Sequence, residues 1–242
     1  MIFLFTDYGH RGPYVAQVTA VLRRAAPEVD VIAFISDAPA YHPRAAAYLL
    51  AAYAPEFPPG SVFLCVVDPG VGTDRGAGIL RADGRWYVGP DNGLFELIIR
   101  RADRAQWWPL PTPEGPIPAT FHGRDWFAGA AAGLARRGAP PGRLRSAAPA
   151  RRPDWPDDLS EIIYIDGFGN AMSGVRAHGI DRRTQVIVDQ HQLGWARTFG
   201  EVPPGAPFWY ENANGLLEIA VNQGSAARLL ALAEGAPIRL AV

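Results

Sequence analysis

The chain has 242 residues, of which 48% are hydrophobic and 19% are charged, and its formal net charge is −1. This is the composition of an ordinary globular protein with one large domain or a larger and a smaller one. All 23 basic residues are arginine, which excludes Walker phosphate loops and Schiff-base lysines. The near-neutral charge gives no electrostatic basis for binding nucleic acid or an acidic membrane surface.

Neither a membrane-spanning run nor a basic and apolar leader is visible, so we expect a cytoplasmic protein. The single cysteine, Cys65, lies in the apolar run VFLCVV, where a thiol is expected to fill the core. The sequence also lacks HExxH, paired CxxC and GxSxG patterns. Metal, nucleotide-triphosphate and triad chemistries are therefore disfavoured.

Strands and helices are predicted to alternate in the first half of the chain. Short apolar runs predict strands at 2–5, 29–35, 62–67, 79–80 and 86–88. Helical spacing predicts helices at 13–25 and 43–53, one after the turn 89–93, and one that Asp125 can cap and Gly138 ends. Such alternation implies a layered α/β domain with a largely parallel central sheet.

Residues 139–160 are rich in proline and have no apolar period, which indicates a linker. The region after it is rich in predicted strands, with a single predicted helix at 225–233. These strands are expected at 161–165, 185–188, 208–210, 216–221 and 238–242. We therefore predict an N-terminal α/β domain over residues 1–150 and a smaller β-barrel-like domain over residues 158–242.

Two carboxylates follow predicted strands of the first domain. Asp68 comes after the buried strand 62–67 in a Pro-Gly turn, with Arg75 a few residues further on, and Asp7 comes after the first strand. Ligands of open α/β sheets bind beyond the carboxyl ends of the strands, where Asp7 could hold both hydroxyls of a ribose. Turn formation, helix capping or a surface ion pair would explain the same residues, and both interpretations stay open.

Polar groups elsewhere also admit two interpretations. His122 precedes a predicted helix, whose N-terminal potential favours a neutral imidazole, although a lone histidine is most often structural. Asn170 in the turn IDGFGN suits a purine edge, and the neighbouring Phe168 could stack on a base or pack in the core. Glu218 interrupts an apolar strand and needs a partner, such as a ligand ammonium group. Asp91-Asn92 is interpreted as a structural turn and helix cap.

Six motifs occur together in a fixed order. They are TDYG (6–9), VVDPGVGTDR (66–75), GPDNGL (89–94), TFHGRDWFA (120–128), DGFGN (166–170) and GLLEIAVNQGSAA (215–227). In this order they resemble the S-adenosyl-L-methionine hydrolases, also called SAM hydroxide adenosyltransferases, which are related to fluorinase and chlorinase enzymes. The resemblance implies that water attacks C5′ of S-adenosylmethionine to give adenosine and L-methionine. Sulfonium is already a good leaving group, so no metal or cofactor is expected.

The resemblance also implies roles for individual residues of the first domain. Asp68, Arg75 and His122 match the polar set that holds and activates the water, and the sequence leaves open which of them is the base. Asp7 matches the ribose-binding carboxylate. Family members are homotrimers whose sites lie between the N-terminal domain of one subunit and the C-terminal domain of the next, so we expect a homotrimer here.

In the second domain the resemblance implies five substrate-binding positions. Asn170 matches a residue that contacts the nucleoside or methionine moiety, with Asp166 as its companion. Glu218 and the backbone of Val221 match the C-terminal binding segment, in which Ala213 stands where the family usually has serine. Two alternatives to a hydrolase remain, namely a halogenase of the same fold and a non-catalytic sensor of S-adenosylmethionine or adenosine.

Overall fold

The computed structural model describes residues 1–142 and 144–241. The chain forms two compact units, Met1–Pro153 and a second unit that begins at Asp154. The boundary between the units falls within the proline-rich segment 139–160. Within the described ranges, no helix is both long enough and apolar enough to cross a membrane.

The first unit is built on a six-stranded sheet. Its strands are β1 (Ile2–Thr6), β2 (Val31–Ile35), β3 (Val62–Val66), β4 (Ala77–Ala82), β5 (Arg85–Pro90) and β6 (Ala105–Pro109). They lie in the order β2-β1-β3-β5-β4-β6. The pairs formed by β1, β2, β3 and β5 are parallel, whereas β4 runs antiparallel to both of its neighbours. The predicted largely parallel α/β sheet is confirmed, and β6 is an additional strand.

Helices cover this sheet and bury its central strands β1 and β3, whereas the edge strand β2 stays partly exposed. They are α1 (Tyr14–Ala25), α2 (Pro43–Tyr53), α3 (Glu96–Arg101) and α4 (Ala128–Arg137), with a π-helical turn at Gly123–Phe127 before α4. Helices α1 and α4 share one core with Leu4 and Leu64. On the other face Phe63 stacks on Tyr87, with ring centroids 5.1 Å apart. Burial on both faces explains why β1 and β3 are continuous apolar runs rather than alternating ones.

Residues 150–152, which follow α4, are hydrogen-bonded to two carboxylates of the first unit. Glu96 of α3 is almost fully buried and accepts hydrogen bonds from the Arg151 guanidinium at 2.9 Å and from the Arg152 backbone N–H at 3.0 Å. Asp91 accepts the backbone N–H of Ala150. Residues 150–152 therefore belong to the fold of the first unit.

The second unit consists mainly of antiparallel strands. They are β7 (Leu159–Ile165), β8 (Ala171–Arg176), β9 (Gln185–Val188), β10 (His191–Leu193), β11 (Pro207–Glu211), β12 (Leu216–Val221) and β13 (Arg239–Ala241). One sheet has the order β11-β12-β8-β7 and the other β10-β9-β13. Residues of both sheets share one hydrophobic core, which confirms the barrel-like β architecture. The helix predicted at 225–233 is shorter, α5 (Ala226–Leu229), and residue 242 of the last predicted strand lies outside the described residues.

Candidate active site

The first polar cluster lies at the carboxyl ends of two adjacent parallel strands. Thr6, the last residue of β1, is opposite Val66, the last residue of β3. Asp7 and Asp68 therefore leave the sheet at the same edge, as the sequence predicted. The backbone N–H of Asp7 also donates to the carbonyl of Val66 at 3.2 Å, which ties the two strand ends together.

Asp68 and Arg75 form a buried ion pair. The Arg75 Nε lies 2.9 Å from Asp68 Oδ1 and 3.1 Å from Oδ2, and its Nη2 also donates to Oδ2. Only 3% of the Asp68 side chain and 10% of the Arg75 side chain are exposed. The guanidinium lies over the rings of Trp126 and Phe127, 5.6 and 5.3 Å from their centroids. A pair held this deeply differs from a surface ion pair, because its partners are shielded from water.

His122 joins this pair through Arg75. Its Nδ1 lies 2.9 Å from Arg75 Nη2. A guanidinium can only donate, so Nδ1 must accept and the imidazole proton must sit on Nε2. Burial and the charge of Arg75 together lower the pKa of His122 below its usual value. The imidazole is therefore neutral at pH 7 and presents Nε2–H as a donor.

The position of His122 depends on an unusual start of the helix that follows it. Gly123–Phe127 form a π-helical turn, a distortion that often accompanies functional sites. Asp125 lies inside this turn and pairs with Arg124 at 2.8 Å, so the prediction that Asp125 caps the helix was wrong. A Cβ at position 123 would overlap the hydroxyl of Tyr8, so a larger residue there would force Tyr8 or the turn to move.

Asp7 has a partner that the sequence did not reveal. Its Oδ2 accepts the backbone N–H of Tyr41 at 3.1 Å, and burial raises the pKa of the Asp7 carboxyl. Tyr41 has a left-handed backbone with φ of 62°, which is uncommon for a residue other than glycine. The residue is 75% exposed. Asp7 thus holds an exposed aromatic residue beside the sheet edge.

The second polar cluster lies in the second unit, around a cavity of about 680 Å³. Four of the predicted binding residues line it, namely Asp166, Asn170, Glu218 and Val221. Ala213 is exposed in the turn between β11 and β12 and is not among the lining residues. Phe168 also lines the cavity and is 82% exposed, so it does not pack in the core.

Hydrogen bonds fix the polar side chains of this cavity. Asp166 Oδ1 accepts the backbone N–H groups of Phe168 and Asn170 at 2.9 Å, and its Oδ2 accepts the Asn170 amide at 3.0 Å. Glu218 accepts the Tyr210 hydroxyl and, at 2.8 Å, the Asn212 amide. Burial raises the pKa of the Glu218 carboxyl. Glu218 therefore already has protein donors, and sequence inspection missed both Tyr210 and Asn212.

The first unit holds a buried carboxylate–guanidinium–imidazole set, and the second unit holds a polar and aromatic cavity. This combination is typical of enzymes that act on small polar molecules. Throughout residues 1–142 and 144–241, no three His, Cys, Asp or Glu side chains are grouped to hold a metal ion. The family model for the SAM hydroxide adenosyltransferase N-terminal domain matches residues 2–144, and that for the C-terminal domain matches residues 160–239. The chain belongs to the SAM hydroxide adenosyltransferase family.

Individual relatives agree with this assignment over nearly the whole chain. An (R)-S-adenosyl-L-methionine hydrolase of Thermus thermophilus is 44% identical, covering 99% of this chain and 98% of the relative. An enzyme of the same name from Salinispora arenicola is 38% identical, with coverage of 97% and 95%. A crystal structure of an uncharacterized conserved protein from Thermotoga maritima superposes with a TM-score of 0.88 at 29% identity, over 100% of both chains.

Proposed function

We propose that this protein hydrolyses (R)-S-adenosyl-L-methionine to adenosine and L-methionine. The enzymes named above as hydrolases of this compound, up to 44% identical to the chain, support the substrate and the reaction. The buried, mutually hydrogen-bonded set of Asp68, Arg75 and His122 carries the proposal, since it can hold one water molecule in a fixed place. Buried polar sets of this kind cluster at functional sites, which favours an enzyme over a protein that only binds.

The chemistry requires alignment of a nucleophile more than assistance to the leaving group. A bond forms between the water oxygen and C5′ while the C5′–S bond breaks, and the electron pair of that bond stays on the sulfur of methionine. The positive sulfur leaves without protonation, so the protein needs to position water and to exclude competing solvent. No metal or cofactor has a part in this scheme.

Each member of the set has a distinct role in our proposal. Arg75 directs Nε and Nη2 to Asp68 and Nη2 to His122 as well, so it orients both partners. His122 Nδ1 is occupied and its Nε2 carries a proton, so the imidazole holds the water oxygen by donating a hydrogen bond. Asp68 is then the group that accepts the water proton. The set starts with a net charge of zero, which limits the penalty of burial.

Substrate recognition is proposed for both polar clusters. Asp7 would accept the ribose hydroxyls, while Asn170, Asp166, Glu218 and the backbone of Val221 would bind the rest of the molecule in the cavity that they line. The role of Ala213, which is exposed and does not line that cavity, stays a prediction from the family pattern.

The reaction is tested by incubating the purified protein with S-adenosylmethionine in heavy-oxygen water, with and without chloride, and identifying the products by mass spectrometry. We expect adenosine that carries the heavy oxygen, together with free methionine. A 5′-halo-nucleoside would show a halogenase instead. Tight binding without turnover would show a sensor and would contradict the proposal.

A homotrimer with sites shared between subunits remains our prediction from the family resemblance, and a cytoplasmic location remains our prediction from the sequence pattern. Sharing is tested by mixing two inactive variants, Asp68→Ala and Asn170→Ala, under conditions that exchange subunits. If each site takes one cluster from each of two subunits, about a quarter of the sites in a random mixture would be intact. Activity that stays absent after demonstrated exchange would contradict shared sites, and light scattering would measure the subunit number.

A further inference from the structure

The loop that carries Asp68 and Arg75 is held at both ends by two consecutive residues. The side-chain Nδ2 of Asn92 donates to the carbonyl of Val67, one residue before Asp68, at 2.9 Å. The backbone N–H of Asp91 donates to the carbonyl of Gly76, one residue after Arg75, at 2.9 Å. Both anchors sit directly after strand β5, whose neighbours in the sheet are β3 and β4.

Asn92 is itself fixed in place. Its Oδ1 accepts the backbone N–H of Leu94 at 3.2 Å, so both ends of the amide are used. The next residue, Gly93, has φ of 100°, a conformation that other residues rarely adopt. The side chain therefore leaves a rigid turn, and it cannot follow the loop if the loop moves.

The bond to Val67 controls the start of the catalytic loop. A peptide group is planar, so the direction of the Val67 carbonyl also sets the direction of the Asp68 N–H and the position of the Asp68 Cα. Asp68 accepts hydrogen bonds from Arg75, and Arg75 also donates to His122. A small rotation of this one peptide would therefore move all three side chains relative to one another.

We infer that Asn92 is a positioning residue for the reaction and acts through Val67 on the Asp68–Arg75–His122 set. This inference rests on the proposed hydrolysis of S-adenosylmethionine. The amide of Asn92 bonds to the backbone at Val67 and Leu94 rather than to a side chain of the set. Its effect should therefore fall on the alignment of the nucleophile and leave the binding of substrate nearly unchanged.

The test compares Asn92→Asp and Asn92→Ala with a control at the other end of the same strand. Asn92→Asp preserves the size of the side chain and its acceptor for Leu94, but it cannot donate to Val67. Arg85, the first residue of β5, donates to the carbonyls of Phe57 and Pro55 at 2.6 Å. Arg85→Met removes those bonds in the same unit without touching the catalytic loop.

We expect both Asn92 variants to lower kcat at least about tenfold, because alignment of the reacting atoms is lost, with KM within about twofold of the parent. Arg85→Met should leave kcat unchanged even where it lowers the melting temperature. Equal kcat in Asn92→Asp and the parent, or an equal loss in Arg85→Met, would overturn the inference. Lack of hydrolysis by the parent would instead overturn the proposed function, so the two failures are distinguishable.

Unfolding of the Asn92 variants would not leave the inference unresolved. Kinetics are measured at a temperature where thermal unfolding curves show each variant folded, and Asn92→Asp, which keeps the size of the side chain and the acceptor for Leu94, supplies the milder change.

Discussion

The Nη2 atom of Arg75 lies 2.9 Å from Nδ1 of His122, and this contact determines which proton the imidazole carries. Since the guanidinium has no acceptor, a doubly protonated imidazole would place two donors against each other. Protonation of His122 therefore breaks the contact and also adds a second positive charge beside Arg75. The proposed mechanism therefore requires a neutral His122.

We predict an acid limb in the pH profile of kcat/KM that belongs to His122. Burial and Arg75 lower the pKa of His122, so its neutral form persists to lower pH than that of a free imidazole, and the limb should fall below about 6.5. His122→Gln can still accept from Arg75 and donate to water without titrating. The limb should shift or vanish in that variant, and an unchanged limb would contradict the assignment.

The two strand-end carboxylates should differ in their kinetic signatures. Asp68→Asn should lower kcat by about 10² or more, because the proposed acceptor for the water proton is lost. Asp7→Asn should mainly raise KM, because the proposed ribose contact weakens. The control is Asp83→Asn. The Asp83 carboxylate also accepts backbone N–H groups, but Asp83 follows the last residue of β4, whereas Arg75 precedes the first. An unchanged KM in Asp7→Asn would exclude the ribose role.

Glu96 should give the first unit an acid-sensitive contribution to stability. Burial raises the pKa of Glu96, but hydrogen bonds from Arg151, Arg152 and Arg100 outweigh it and lower the pKa from 4.5 to about 2. Because the pKa of Glu96 is lower in the folded state, its ionised carboxylate stabilises the fold above pH 4.5. This contribution is lost as the pH falls towards 2. Glu96→Gln should reduce the free energy of unfolding at pH 7 by about 2 kcal/mol and flatten its dependence on pH in this window. Denaturant unfolding at several pH values measures both effects, and parallel curves would refute the prediction.

Gly123 and Tyr8 should be energetically coupled. Gly123→Ala should lower the free energy of unfolding by about 1 to 3 kcal/mol, because the new Cβ overlaps the Tyr8 hydroxyl. That hydroxyl is buried and has no hydrogen-bond partner in the described ranges 1–142 and 144–241. Tyr8→Phe should therefore have little effect alone and should relieve much of the loss in the double variant. A double-mutant cycle measured by denaturant unfolding tests this coupling. Additive losses of unfolding free energy would show that Gly123 and Tyr8 are not coupled and would contradict the prediction.

Local patterns were enough to predict the elements that position the site. The continuous apolar runs of β1 and β3 reflect burial on both faces of the sheet, and parallel pairing then places Asp7 and Asp68 at one edge. Helix α2 begins and ends at the predicted residues, Pro43 and Tyr53. These features depend on residues close together in the chain or on a general rule of sheet topology.

The features that were missed depend on distant or strained contacts. Strand β8 contains serine and glycine, and its place in the sheet follows from pairing with β7 and β12 rather than from its own sequence. The left-handed conformation of Tyr41 is held by Asp7, which lies 34 residues earlier. Glu96 is paired with Arg151, 55 residues later. Such contacts form only when the whole unit folds, so no local pattern signals them.

The hydrogen bonds from residues 150–152 to Asp91 and Glu96 determine where the protein can be cut to give a stable N-terminal fragment. The family match to the N-terminal domain stops at residue 144, yet a fragment cut there would remove Arg151 and Arg152 from the buried carboxylate of Glu96. It would also remove the hydrogen bond that the backbone N–H of Ala147 donates to the carbonyl of Trp107 at the edge of the sheet. An autonomous N-terminal fragment therefore has to extend through Pro153, and a shorter one would expose an unprotected strand edge to aggregation.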